Sequence, residues 1–368
     1  MKAIYFNLIL ILVFPALVLA NPVHDKSWKG KYTKEKKINK EFSVTSDALL
    51  NISNDYGNID ITTWEENRVV IQVIIKTNGD DEQKVREKLN DITVNFEASS
   101  SYVTAKTKID KNESQSWWSS WTGGNNSHSI NMEINYIIKL PATNAVNLEN
   151  DYGNISIDRL LGNANLDCDY GKLNIGELLA DNNKISFDYN TGCTFDYIKS
   201  ATINAGYSTY SIEKAGNLII SADYSNGSIK EVKNLQFNAD YGSFKIDKVK
   251  NIQGDGDYCT VKLGDVFGNV ELTSDYGNFI IERLTKNAGN VSLNGDYAGM
   301  KIGYDAAYEF TFNVNLSYAG FTGTDGLEFT LKNKSNSNST YEGYNISKSA
   351  KNNLFIDSDY GSVKMNRL

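Results

Sequence analysis

Apolar and polar residues alternate with a period of two along most of this chain, in short runs punctuated by the phrase apolar, any, small, Asp, Tyr, Gly. Such alternation marks strands with one buried face. The phrase is written as Ile52-Ser53-Asn54-Asp55-Tyr56-Gly57, and with small variations twelve times in all. Its tyrosines are Tyr56, Tyr152, Tyr170, Tyr189, Tyr207, Tyr224, Tyr241, Tyr258, Tyr276, Tyr297, Tyr318 and Tyr360. From Tyr152 to Tyr276 the steps are 18, 19, 18, 17, 17, 17 and 18 residues; two of 21 follow, then one of 42 with room for a degenerate coil.

A fixed period predicts one unit stacked on itself. Four residues before Tyr stand Leu166, Ile185, Ile203, Ile220, Phe237, Leu272, Leu293 and Val314. Two before stand mostly small residues, such as Cys168, Ala205, Ala222, Ala239, Ser274 and Gly295. Strict parity carries the inward face on to Tyr itself, and the following Gly is expected to bend the chain. Further inward pairs follow at three and five after Tyr (Leu173 and Ile175, Val363 and Met365), with Leu160, Leu178, Val249, Val266, Leu284 or Leu368 at eight after. The expected fold is all-β, a single-stranded right-handed parallel β-helix of 17–21-residue coils, the hand following from the right-handedness of strand crossovers. On this reading the tyrosine ladder is core, and Tyr241→Ala should cost roughly 3–5 kcal/mol.

The segment between Tyr56 and Tyr152 breaks the period. Val69–Thr77 reads as a strand, Asp80 as the cap of a short helix with Val85, Leu89 and Ile92 on one face, then strands at 92–98, 102–109 and 130–140 before Pro141. This is an N-terminal α+β cap, needed because an open end exposes strand edges and apolar core. Within it Trp117, Trp118 and Trp121 sit in a Ser/Gly-rich loop, the candidate ligand contact, against the alternative that they fold back onto the cap. Residues 332–353 read as an irregular loop or poor coil. The C-terminal coil has no other obvious cover and is a candidate for end-to-end self-association.

Four segments result. Residues 1–20 read as a signal peptide and 21–49 as an N-terminal segment. Residues 50–145 hold the first coil and cap, and 146–368 the repeats. No later run is long and apolar enough to span a membrane as a helix. The protein is expected to be exported, to the periplasm, the outer-membrane surface or the medium. A net charge of −8 argues against a nucleic-acid ligand, and the basic stretch Lys29–Lys40 reads as a solvated tail.

The chemistry available is narrow. Two histidines, His24 and His128, and three cysteines allow no Ser-His-Asp or Cys-His set. Cys168, Cys193 and Cys259 occupy repeat positions and read as buried free thiols. The Asp column beside the tyrosines invites calcium, but a corner role, with Asp accepting backbone N–H groups, explains it more simply. No metal or other cofactor is expected. Coils this short carry no loops to wall a catalytic cleft, so the chain reads as no enzyme, with a polysaccharide-active β-helix enzyme as the outlying alternative.

Tyr56-Gly57-Asn58-Ile59, the strand end Ile61-Thr62-Thr63-Trp64, the helix after Asn78-Gly79 and the lead-in Tyr136-Ile137-Ile138-Lys139-Leu140-Pro141 resemble the bacterial β-strand-repeat putative adhesin family, related to the head-domain auto-transporter adhesins of Bacteroidetes. The resemblance covers most of the chain beyond the leader. It implies a right-handed β-helix in the cell envelope without known catalytic residues, binding an unknown glycan or an envelope or host protein. A periplasmic structural, assembly or sensing scaffold is the alternative.

Overall fold

The computed structural model describes residues 28–110 and 130–368. Residues 1–20, read as a signal peptide, His24, His128 and the candidate contact residues Trp117, Trp118 and Trp121 lie outside the described residues. Those residues are nearly all strand, with one helix, and the strands join in one large sheet that is not closed into a barrel.

Pairing follows the period. Each unit gives one strand before its tyrosine and one after, and each pairs in parallel with the same strand of the next unit. In the first ladder Leu148, Leu166, Ile185, Ile203, Ile220 and Phe237 stand side by side. In the second, Ile157, Ile175, Phe195, Ile212 and Ile229 do so. These residues are buried and belong to one contiguous core. The position two before Tyr is buried as expected, and so are Leu160, Leu178, Val249, Val266 and Leu284 at eight after, whereas Leu368 is exposed. Cys193 follows a bulge at which Gly192 takes φ +73°, the extra residue of that unit. All three cysteines are buried and unpaired.

Residue size is balanced between neighbouring units. A Cβ on Gly254 would enter the Phe237 ring, and one on Gly227 would meet the Tyr210 ring and hydroxyl. Large and small residues thus share one layer, as close packing demands.

The tyrosines overturn the parity argument. All twelve adopt left-handed backbone, with φ between 48° and 63°, while the glycine that follows does not. Tyr itself makes the corner. A pivot there ends the two-residue alternation, so Tyr does not inherit the inward face of the residue two before it. The side chains lie outside: from Tyr170 onward each is 45–64% exposed. The glycine serves close approach instead, because a Cβ on Gly153, Gly171 or Gly242 would strike the preceding unit's backbone carbonyl. Where glycine is replaced, the substitutes Asn190, Ser208, Ser225, Cys259 and Ala298 are buried, and three of them form a chain of bonds. Gly171 N donates to Asn190 Oδ1 (2.7 Å), Asn190 N to Ser208 Oγ (2.9 Å) and Ser208 N to Ser225 Oγ (3.0 Å).

Both ends close with antiparallel strands. At one end Tyr32–Ser43 pairs with Arg68–Gly79, which pairs with Asn131–Pro141, which joins the parallel ladder at Ile59–Trp64. The expected basic tail is therefore an edge strand, and its lysines guard that edge against further pairing. The helix Glu82–Asp91 lies over this end with Val85 and Leu89 buried. Its cap is Asp81, one residue later than the sequence reading, bonded to Gln83 N and Lys84 N. Lys36 Nζ meets the carbonyls of Leu89 and Ile92 at the other end of the helix, where positive charge is favoured.

At the far end the 42-residue step hides no degenerate coil. Glu328–Lys334 and Asn338–Asn345 form a hairpin, whose second strand runs antiparallel to Phe310–Ser317. That hairpin takes up part of the expected irregular loop and covers the end of the first ladder, so the unit carrying Tyr360 is not at an open edge. It lies one unit in, between the units of Tyr297 and Tyr318.

The corner makes an unusual prediction. A left-handed non-glycine residue costs about 1–2 kcal/mol, and a stacked aromatic pair returns about 0.5–1.5 kcal/mol. Tyr241→Ala loses the stacks and keeps the strain, whereas Tyr241→Gly loses the stacks and relieves it. Chemical denaturation should find the Gly variant more stable than the Ala variant by roughly 1 kcal/mol. The reverse order, with both losses in the range for a core aromatic, would restore the inward assignment.

Candidate binding face

The twelve tyrosines expected in the core, Tyr56, Tyr152, Tyr170, Tyr189, Tyr207, Tyr224, Tyr241, Tyr258, Tyr276, Tyr297, Tyr318 and Tyr360, form one external column. Neighbouring centroids lie 4.8–5.3 Å apart and the ring planes agree within 1–9°. Backbone bonds fix this spacing: Tyr152 N donates to Asp169 O, Tyr224 N to Asp240 O and Tyr276 N to Asp296 O, each at 2.8–2.9 Å. Because the rings cover one another's faces, the column offers edges and hydroxyls to solvent. Within the stack no ring face is free to pack on a sugar.

Beside it runs the aspartate column. Asp151 is the most perturbed of these carboxyls, pushed up to about 6 by burial first and then by Asp55, Asp169, Glu149 and Asp167. Asp55, Asp169 and Asp275 are also raised, again by burial first; neighbouring carboxylates add to this for Asp55 and Asp275, while at Asp169 the bond from Asp188 N opposes it. The corner role foreseen for Asp appears where Asp188 N donates to Asp169 Oδ1 (3.1 Å) and Asp275 N to Asp257 Oδ1 (2.8 Å). Among the described residues no group of three or more His, Cys, Asp or Glu side chains is placed to hold a metal ion.

The outer face of the first ladder carries three more columns, which the sequence reading passed over. Seven before Tyr stand asparagines that bond along the stack, Asn234 Nδ2 to Asn217 Oδ1 (2.7 Å) and Asn251 Nδ2 to Asn234 Oδ1 (2.8 Å). Five before stand Thr202, Ile219, Gln236, Gln253 and Glu271, and three before stand Asn204, Ser221, Asn238, Asp255 and Thr273. These side chains line two adjoining shallow depressions of about 380 and 400 Å³ that share Ile219, Gln236, Gln253 and Glu271. Unlike the Asn217 column, Gln236, Asn238, Gln253 and Asn204 are exposed amides with no side-chain partner among the described residues. Ile219, 52% exposed, supplies an apolar patch in the floor.

Charge is sorted between the faces. In the columns one, three and five before the repeat tyrosines, Lys184 is the single cation. Basic residues gather on the second ladder and pair with acids in adjacent units: Arg159 with Glu177 (3.0 Å), Lys214 with Glu231 (3.0 Å) and Arg283 with Asp265 (2.6 Å). All lie at the surface, Asp265 partly buried, and each is worth little alone. This sorting was the available sequence signal for the face, since aligning the repeats displays columns without Lys or Arg.

No protein-family model matches this chain, and no curated protein matches it. Its neighbours among solved structures are putative adhesins from Bacteroidetes and Clostridium. One, from Parabacteroides merdae, is 11% identical, covers 72% of this chain and 95% of its own, and has a TM-score of 0.34. Another, from Parabacteroides distasonis, is 11% identical over 90% and 97%, with a TM-score of 0.27. A putative cell adhesion protein from Clostridium sporogenes is 11% identical over 91% and 100%, with a TM-score of 0.19. The superpositions are poor.

The raised Asp151 carboxyl has a stability consequence of defined sign. Its folded value of about 6 exceeds the unfolded 3.8, so the folded state binds the proton more tightly. The ionised column therefore weakens the fold at neutral pH, and acidification from about 7.5 to 4 relieves it. Asp151→Asn should raise the melting temperature at pH 7.5 in low salt, and the gain should vanish by pH 4. An equal effect at both pH values would contradict a carboxyl raised by burial and by its carboxylate neighbours.

Proposed function

We propose that this protein is an exported, non-catalytic cell-envelope scaffold of the adhesin type, whose amide-rich face binds a glycan. The observation that carries the reading is the set of exposed, unpartnered Gln and Asn side chains on a face almost free of cations. Carboxamides and hydroxyls both donate and accept, as sugar hydroxyls require. Crowded carboxylates repel polyanions, which disfavours nucleic acid and acidic polysaccharides.

The scaffold proposed is a single-stranded right-handed parallel β-helix. Support comes from the in-register pairing of both strands of each unit with the next and from the general right-handedness of crossovers. It would hold identical side chains one strand spacing apart and suit an extended, repetitive ligand. The absence of catalysis is part of the proposal. The perturbed Asp151 lies among other carboxylates and lines neither of the two depressions, and units this short offer no long loops to wall a catalytic cleft around it.

Replacing Gln236, Asn238 and Gln253 together by Ala should leave the unfolding curve nearly unchanged, because all three are exposed. Binding to whichever neutral glycans an array identifies for the wild-type protein should fall at least tenfold. Undiminished binding by the triple variant would remove this face from the reading.

Location is a separate question. Protease added to intact cells should digest the protein if it stands outside the outer membrane. Protection until that membrane is breached would favour the periplasmic scaffold instead.

A further inference from the structure

We propose that residues 352–368 are a closing insert: a two-strand segment that fills a slot built by the rest of the chain and exchanges with the same segment of a second copy. Sequence order and spatial order disagree only here among the tyrosine units. Elsewhere each tyrosine stacks on the next in sequence, but Tyr360 stacks on Tyr297 at 4.8 Å and on Tyr318 at 5.0 Å. In the first ladder Asn352–Asp359 lies between Val291–Asp296 and Phe310–Ser317, parallel to both. In the second, Val363–Arg367 lies between Gly299–Tyr304 and Phe321–Thr322.

The slot's two walls are organised without the insert. One is the growing stack up to Tyr304. The other is Phe310–Asn345, held by its own antiparallel pairs from Phe310 with Asn345 to Ser317 with Asn338. The strands of those walls do not pair with each other; the walls touch directly where the Tyr304 and Phe310 rings meet at 5.4 Å, and their facing backbone edges are bridged by the insert. Its absence would leave two parallel-strand edges unpaired and open the core, since Leu354, Ile356, Val363 and Met365 are buried to 1% exposure or less. Such edges accept any strand of matching register and pattern.

A second copy offers the best match, because its segment 352–368 is identical in both. The tether to the second wall is the exposed turn at residues 346–351. Ile346 there takes φ +75° and is 57% exposed, a costly conformation for a β-branched residue. Opening this turn relieves local strain and is the low-cost route to swapping. Beyond the strand pairs, the insert is held at its corner and its ends. Tyr297 N donates to Asp359 O (2.7 Å), Met300 N to Ser362 O (3.0 Å), Tyr360 N to Ser317 O (2.8 Å), Val363 N to Gly320 O (2.8 Å), Leu368 N to Tyr304 O (2.9 Å) and Asn353 N to Asn290 Oδ1 (3.0 Å).

The test starts from the folded full chain. A specific protease site replaces Ser347–Ala350; the purified protein is cut there and mixed with excess fluorescent peptide of residues 350–368. Urea is then raised stepwise to below the global unfolding midpoint, and the label is followed by gel filtration. The insert account predicts that the body keeps its β-sheet signal and that label enters it below that midpoint. A peptide carrying Ile356→Asp should enter at least tenfold less. Loss of fold on cutting alone, uptake only at or above the global midpoint, or equal uptake of the Asp peptide would each overturn it.

Discussion

The left-handed tyrosine corner is the constraint on which the rest depends. Most of the tyrosine N–H groups, from Tyr56 to Tyr224 and again at Tyr276, Tyr297 and Tyr360, are tied to a carbonyl of the neighbouring unit in the stack, and sheet spacing of about 4.8 Å sets the ring spacing. Tyrosine pivots the chain there at a conformational cost that glycine would avoid, and the stack offsets it. The glycine or small residue after it lets two backbones approach closely. Remove any of these and neighbouring units lose register at the corner, from which both ladders start.

Once the corner is fixed, the faces divide the labour. Inward positions form one core, in which Phe237 fits because Gly254 leaves room. The second ladder's outer face carries ion pairs between units, which help register and leave little charge to spare. On the first ladder's outer face, the asparagines seven before Tyr satisfy one another, while Gln236, Asn238 and Gln253 stay unpartnered. A chain that satisfies Asn190, Ser208 and Ser225 so completely at its buried corners has left these amides free. That contrast separates structural polarity from polarity available to a ligand.

Much of the fold was legible in the residues. The period, the columns at four and two before Tyr, the helix with Val85 and Leu89, and the buried cysteines all follow from spacing and alternation. The direction of Tyr was not legible, because parity holds only while the backbone stays extended, and no residue type marks a left-handed tyrosine in advance. The placement of Tyr360 inside Tyr318 was equally hidden: a step of 42 residues gives a length, not the direction in which the chain returns. For the candidate site, composition argued only against histidine-based catalysis, since His24 and His128 are the two histidines present. The face proposed for binding carries a subtler signal, a shortage of Lys and Arg at aligned positions, which shows only once the repeats are placed in register.

Hydroxyl-radical footprinting read by mass spectrometry tests the exposed corner most directly. The folded protein holds its own controls, since Tyr136, Tyr210 and Tyr308 are buried. The account predicts oxidation of the repeat tyrosines from Tyr170 to Tyr360 at rates well above those three. Protection of Tyr207, Tyr224 and Tyr241 to the level of Tyr210 would place the column in the core and contradict the corner.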